Sequence, residues 1–325
     1  MFNRYYILIF ILLQGCCNSS TLDSFEFVVL PDTQTYIEEF PEVFMKQMEW
    51  ISENENRFSF VLHEGDITQN NSEEEWAFAR NGFALLDGKV TYNLSLGNHD
   101  MGSEEGKFAD IRNTTLANRF FNHANYVKHS NSIATFPKES IDNNCSEYNL
   151  AGEKWLVFSL EFGPRNKTLD WVNQLIQKHP NHHVIINTHS YMYEDNTLQD
   201  GDDWYLPQKY GIGKDEGENA VNDGGGIWEK LIKKNENILM VFSGHILGSG
   251  VGQLVAKNDY GNNVYQMLAN YQKNVTGVEK GDSGYLRIVK VDVMAKSISV
   301  KTYSPWLDKF NTEPEHQFTF TNVKI

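Results

Sequence analysis

The feature that most restricts this chain is a series of short apolar strands, each of which stops at a polar block. Phe25-Glu26-Phe27-Val28-Val29-Leu30 is rich in β-favouring side chains and halts at Pro31; Phe58 to His63, Thr91 to Leu96, Val184 to Asn187 and Ile238 to Phe242 repeat the signal. Between them the period changes. Pro41 to Asn54 sets Val43, Phe44, Gln47, Met48 and Ile51 at helical spacing, Ser72 to Leu86 opens with a Ser-x-x-Glu capping box, and Lys167 to Lys178 and Ile227 to Lys234 read as further helices. This alternation predicts an α/β architecture in which sheets are covered by helices. Tyr285 to Val291 and Ser297 to Tyr303 alternate strictly about a turn at Ala295-Lys296, which predicts a hairpin extending a second sheet. Glu194 to Gly226, rich in Gly, Asp and Asn, has little period and reads as a long surface excursion.

Composition narrows the function classes. With 28 Lys and Arg against 43 Asp and Glu in 325 residues, the formal net charge of −15 disfavours a protein built to grip a nucleic-acid scaffold, which needs a basic footprint. The 40% hydrophobic content supports a large core, and 3 Cys, two of them adjacent, give no disulfide framework. Arg4, the apolar run Tyr5 to Leu13 and Gln14-Gly15-Cys16 read as an export signal, because about ten apolar residues fall short of the roughly twenty that span a bilayer. Leu13-Gln14-Gly15-Cys16 resembles the bacterial lipoprotein cleavage box, with Gln14 in place of the usual small residue. The expected organisation is a lipoprotein-type signal peptide over 1–15, a polar tether over 16–24 and one domain over 25–325. The mature protein would be exported and held at the cell envelope by a lipid on Cys16.

The chemistry lies where the strands end. In order, they run into Asp32-Thr33-Gln34, His63-Glu64-Gly65-Asp66, Gly97-Asn98-His99-Asp100, Thr188-His189 and Gly244-His245. Ligands of open α/β sheets bind outside the carboxyl ends of the strands, so residues scattered in sequence are brought to one rim. Carboxylate, amide and imidazole together suit divalent zinc, manganese or iron. Singly, Asp32 is an ordinary turn former and His245 an ordinary core histidine; five such blocks in order, each behind an apolar strand, are not coincidence.

The series Asp32-Thr33-Gln34, Gly65-Asp66, Gly97-Asn98-His99-Asp100, His189 and Gly244-His245 resembles the calcineurin-like metallophosphoesterase superfamily, over essentially the whole chain after the tether. The resemblance implies a four-layer α/β/β/α sandwich of two mixed sheets flanked by helices. It implies two divalent ions (Mn, Zn, Fe or a mixture): Asp32 on the first, Asp66 bridging, and Asn98, His189 and His245 on the second. His99, supported by Asp100, would lie near the leaving-group oxygen. Two positions depart from the pattern. Gln34 stands where a second His is usual, and Leu247 stands where Gly-His-x-His would end, so the first ion is expected to be weakly held by Asp32, Asp66, Gln34 and water. Leu30-Pro31-Asp32-Thr33-Gln34, Gly65-Asp66-Ile67-Thr68-Gln69-Asn70 and Gly284-Tyr285-Leu286-Arg287 resemble a bacterial branch in which Gln is common at this position. Gln69 also occupies the place of the iron-binding Tyr of purple acid phosphatases.

These observations predict a metal-dependent hydrolase of phosphomonoesters or phosphodiesters, acting outside the cytoplasm on a phosphorylated small molecule or glycan. Two cations would lower the pKa of a bound water and clamp the phosphoryl oxygens, giving a metal-activated hydroxide. The alternatives are a non-catalytic phosphate- or glycan-binding envelope lipoprotein with a degraded first metal site, and a structural envelope component. His63, His182 and His183 fit no ligand position and read as strand-end or surface residues. Gly248-Ser249-Gly250-Val251-Gly252 reads as a turn behind His245. Trp204, Tyr205 and Tyr210 either line a sugar or nucleobase pocket or anchor the long excursion.

Overall fold

The computed structural model of the chain describes residues 23–278 and 280–325, so the expected signal peptide and the lipidation site at Cys16 lie outside the described residues. The strands are β1 (Ser24–Leu30), β2 (Phe58–His63), β3 (Thr91–Leu94), β4 (Ser132–Thr135), β5 (Asn144–Leu150), β6 (Glu153–Leu160) and β7 (His183–Thr188). They are followed by β8 (Ile238–Ser243), β9 (Val251–Lys257), β10 (Asn263–Ala269), β11 (Leu286–Asp292), β12 (Ser297–Ser304), β13 (Lys309–Asn311) and β14 (Gln317–Thr321). The first sheet has the order β13-β12-β11-β1-β2-β3, with β14 also on β12; the second has the order β4-β5-β6-β7-β8-β10-β9.

Near-continuous apolar strands arise because both faces of each sheet are covered. In β1, Phe25, Phe27 and Val29 point between the sheets while Val28 and Leu30 point to the helices outside. Phe27 stacks on Phe60 within its sheet, with centroids 4.6 Å apart, and meets Phe242 of the other sheet edge-on at 5.6 Å. The outer face of the first sheet is covered by α1 (Gln34–Glu39), α2 (Pro41–Glu53), α3 (Glu73–Ala84), α4 (Thr115–Phe120) and α5 (His123–Ser130). That of the second is covered by α6 (Asn166–Lys178) and α7 (Gly224–Ile227), which runs on into a π turn over Trp228–Ile232. The result is the expected α/β/β/α order of layers. Ser72 caps α3 by the anticipated box: its Oγ accepts the Glu75 amide at 3.2 Å and Glu75 accepts the Ser72 amide at 3.4 Å.

The late hairpin is a correction. β11 and β12 join the first sheet, β11 pairing antiparallel with β1 from Val29↔Arg287 to Ser24↔Asp292, because their inward side chains Val289, Val291, Ile298 and Val300 complete the layer begun by Phe25 and Phe27. Ser24, read as the end of the tether, is already paired in β1.

The pairing also sets the site. β1, β2 and β3 are mutually parallel, as are β6, β7, β8 and β10. Asn187 at the end of β7 donates to the carbonyl of His63 at the end of β2 at 2.8 Å, which ties the two carboxyl-terminal rims together across the sandwich.

Candidate metal centre

The loops after β1 and β2 are held by His63, which is fully buried rather than a surface residue. Its Nδ1 accepts the Gly65 amide at 3.2 Å, so Nε2 carries the proton and donates to Thr33 Oγ1 at 2.9 Å. Burial and the neighbouring His189 lower its pKa to about 3, which keeps this hinge neutral. The glycines of the motifs have steric work. Gly65 has φ +98°, a region side chains rarely adopt. A Cβ on Gly97 would overlap the Asp66 carboxylate and amide, and one on Gly244 would overlap Asp32 Oδ1.

Four ligand atoms then meet on the rim. His189 Nδ1 donates to the Glu64 carbonyl at 2.9 Å, which leaves its Nε2 as a lone pair. That Nε2 lies 3.2 Å from Asp66 Oδ2, 3.1 Å from Asn98 Oδ1 and 3.1 Å from His245 Nδ1. His245 Nε2 donates to the Tyr205 carbonyl at 2.9 Å, so the Nδ1 facing His189 is a second lone pair. Asp66, His189 and His245 are buried, and among the described residues they form the one group of acidic and histidine side chains close enough to share an ion. With His189 neutral, a carboxylate, an amide carbonyl and two imidazole nitrogens converge as electron-pair donors. Ligand atoms around a zinc-sized ion at about 2.1 Å stand roughly 3.4 Å apart in a tetrahedron, so this set fits a divalent cation.

The electrostatics agree. Burial would lower the His189 pKa, but Asp66 and Asp32 outweigh it and raise the value to about 9, so a proton takes the place of the cation in its absence. Burial works against ionised Asp66 too, yet His189 and His99 hold it below the ordinary carboxylate range. His245, buried beside that imidazolium, falls to about 3. Phe162 packs on both histidines, with centroids 5.7 Å from His189 and 5.3 Å from His245. Arg112 fixes Phe162 by donating to its carbonyl at 2.9 Å while pairing with buried Glu161 at 3.2 Å.

Asp32 and Gln34 lie beside this cluster. Asp32 Oδ2 accepts the His245 amide at 3.0 Å, Asn270 Nδ2 at 2.8 Å and Gln272 Nε2 at 3.2 Å. Burial, opposed by His189 and reinforced by Asp66, raises its pKa to about 8. Gln34 directs its amide nitrogen at Asp66 Oδ2, 3.0 Å away, and leaves its buried Oε1 without a hydrogen-bond partner. Asn270 and Gln272 follow β10, a sixth strand end on the same rim. The run Val264 to Ala269 ahead of Asn270, apolar except for Gln266, is the signal that marks them in the sequence.

The support of His99 requires a correction. Asp100 is buried and accepts the amides of Gly97, Ile67 and Thr68 at 2.9, 3.0 and 2.9 Å, so its carboxylate stitches the loops after β2 and β3 instead of orienting the neighbouring imidazole. Burial and nearby Asp66 raise its pKa to about 6. The His99 ring is oriented by the Gln69 carbonyl, 2.6 Å from Nδ1, and by Phe108, 4.0 Å between centroids. The cause is the 3-10 turn over Asn98–Asp100, which sends adjacent side chains in different directions.

His99, Asp66, Asn98 and His245 open into a pocket of about 320 Å³ that also meets Trp204, Tyr205 and Tyr210 from the long excursion. A larger cleft, about 770 Å³, lies at the amino-terminal ends of β7, β8 and β10; it includes His182 and His183 and none of the residues above. His182 pairs there with Glu147 at 2.7 Å. Gly248 and Gly250, both at positive φ, make the turn that leads from His245 into β9.

Comparison with known proteins adds three findings. The family model described as calcineurin-like phosphoesterase matches residues 25–249. The chain is 29% identical over 301 residues to an uncharacterized protein, YvnB, of Bacillus subtilis, covering 89% of this chain and 20% of that protein, so it spans about a fifth of that relative's length. Its fold is similar to that of GAP50, described as the anchor in the inner membrane complex of Plasmodium, with a TM-score of 0.50 at 10% identity over 93% of this chain and 90% of that one.

Proposed function

The chain belongs to the calcineurin-like phosphoesterase family, and from that premise we propose that it hydrolyses phosphoric esters of a small molecule or glycan with a divalent cation held by Asp66, Asn98, His189 and His245. The observation that carries this reading is the meeting of Asp66 Oδ2, Asn98 Oδ1 and His245 Nδ1 around His189 Nε2, with both imidazoles turned inward by backbone carbonyls that accept from their other ring nitrogens. When bound there, a divalent manganese, zinc or iron ion would neutralise phosphoryl charge and lower the pKa of a coordinated water towards about 7.

The chain's own residues do the rest. Asp66 Oδ1 accepts the His99 amide at 2.9 Å, which links the position of the metal ligand to that of the pocket imidazole. Because Nδ1 of His99 is committed to the Gln69 carbonyl, Nε2 is the ring atom left to stabilise or protonate the leaving-group oxygen. Trp204, 62% exposed, stacks on Tyr205 at 3.9 Å between centroids and gives the pocket an aromatic wall for a sugar or base ring. The amino-terminal residues support export and a lipid anchor on Cys16 as the setting of this reaction.

The test is hydrolysis of aryl phosphate mono- and diesters with added manganese or zinc. Activity should need metal, disappear in Asp66→Asn and fall by about a hundredfold or more in His99→Ala, in the range of general acid catalysis. Equal rates for the parent and both variants would overturn the assignment, and tight metal binding without turnover would favour a binding lipoprotein.

A further inference from the structure

The position beside Asp32 is where the family pattern places a second cation, and the donors present do not fit one. Asp32 is fully buried, and its Oδ2 already accepts three N–H groups, from His245, Asn270 and Gln272, at 3.0, 2.8 and 3.2 Å. Its Oδ1 lies against the Gly244 backbone, 3.3 Å from the His245 amide. The Asn270 amide cannot be reversed to offer oxygen, because its Oδ1 is held by the Gln272 amide at 3.0 Å. Gln34 donates its amide to Asp66 Oδ2 at 3.0 Å and leaves Oε1 buried and unpartnered, one neutral oxygen where the pattern has an imidazole. Leu247, at the place of the missing histidine, packs against the apolar cluster of Val251, Tyr271 and Val275. Hydrogen-bond donors therefore surround the carboxyl group where a cation would stand, and a cation there would have to displace them.

We infer that the centre holds a single divalent cation, on Asp66, Asn98, His189 and His245, and that the Asn270 and Gln272 amides occupy the place of the second. This rests on the metal-dependent reading given above. Asn270 and Gln272 are positioning residues: they hold Asp32, which in turn holds the His245 backbone amide and so the imidazole ligand.

The experiment is metal counting on the purified chain, with manganese added in excess and free ions removed, followed by electron paramagnetic resonance of the bound manganese. One ion per chain with an isolated six-line spectrum is expected. Two ions per chain, or the spectrum of an exchange-coupled pair, would overturn the inference while leaving a metal-dependent esterase intact; no ion at all would overturn both. Gln272→Leu, which removes one donor at the pocket edge, should still bind one ion, whereas His189→Ala should bind none. Loss of the ion from folded Gln272→Leu would overturn the inference, because Asp32 keeps its Asn270 and His245 partners in that variant and all four ligands remain in place. Circular dichroism of each variant separates loss of fold from loss of metal.

Discussion

Replacing Gly97 by Ala isolates packing at the centre from backbone preference. Gly97 has φ −89° and ψ −175°, an extended conformation that alanine adopts freely, so no conformational strain is introduced. By itself, removing a glycine from the unfolded chain stabilises a protein by about 0.4–1 kcal/mol. The new methyl, however, would overlap Oδ1, Cγ and the amide nitrogen of Asp66. Forcing a methyl into a close-packed interior costs about 1–3 kcal/mol, so a net loss of roughly 1–2 kcal/mol is expected. For a domain of this size that is a fall in melting temperature of about 2–3 °C. The larger effect is on metal. Asp66 must move away from the loop after β3, which breaks the 3.1–3.2 Å spacing of Asp66, Asn98 and His189 and should weaken binding by at least the ten- to hundredfold typical of disturbed supporting groups. Melting curves in chelator and in manganese, with metal counting, measure both parts; the stabilisation by manganese should shrink or vanish. Gly225→Ala, whose methyl meets only ordinary contacts beyond 3.4 Å, is the control. A Gly97→Ala protein that melts with the parent and keeps its manganese-induced stabilisation would refute the packing argument.

In the cation-free protein His189 keeps its proton up to about pH 9, so binding must displace it; manganese affinity should rise about tenfold per pH unit below that value and level off above it, and a flat titration between pH 6.5 and 8.5 would contradict this. Glu161, buried and bonded to Arg165 at 2.9 and 3.0 Å and to Arg112 at 3.2 Å, should lose about 3–5 kcal/mol of stability as Glu161→Ala, read from urea midpoints, because two arginines are stranded. Trp204→Ala should raise KM for glycosyl or nucleoside phosphates several-fold while leaving small aryl phosphates unchanged, which steady-state kinetics would show. The pocket carries Glu38 and Glu39, and its Lys273 is tied to Glu39 at 2.5 Å; one cation then balances a monoanionic diester better than a dianionic monoester, so kcat/KM should favour the diester by about tenfold or more.

What was legible in the sequence were elements whose cause is local. The apolar runs of β1, β2, β7 and β8 and the period and capping box of α2 and α3 need no distant partner to be read, and the polar block behind each of those strands follows from the rule that ligands gather at carboxyl ends. Elements whose side chains are satisfied from elsewhere were not legible. β5 buries Asn144 and Ser146, which bond to the Leu94 carbonyl and Asn93 of the other sheet, and therefore shows no apolar pattern of its own. The sheet to which the late hairpin belongs depended on β11 meeting β1, more than 250 residues away in sequence.

The residue types, their order and their place behind apolar strands determined the α/β class and the kind of chemistry, because propensity and ligand character are properties of the side chains themselves. Which nitrogen of His189 faces the other donors, that Asp100 serves the loops and Gln69 the His99 ring, and that Asn270 and Gln272 close around Asp32 were decided only by the tertiary structure. Hydrogen bonds act over about 3 Å, and only the folded chain brings two sheets, six strand ends and a long excursion within that reach.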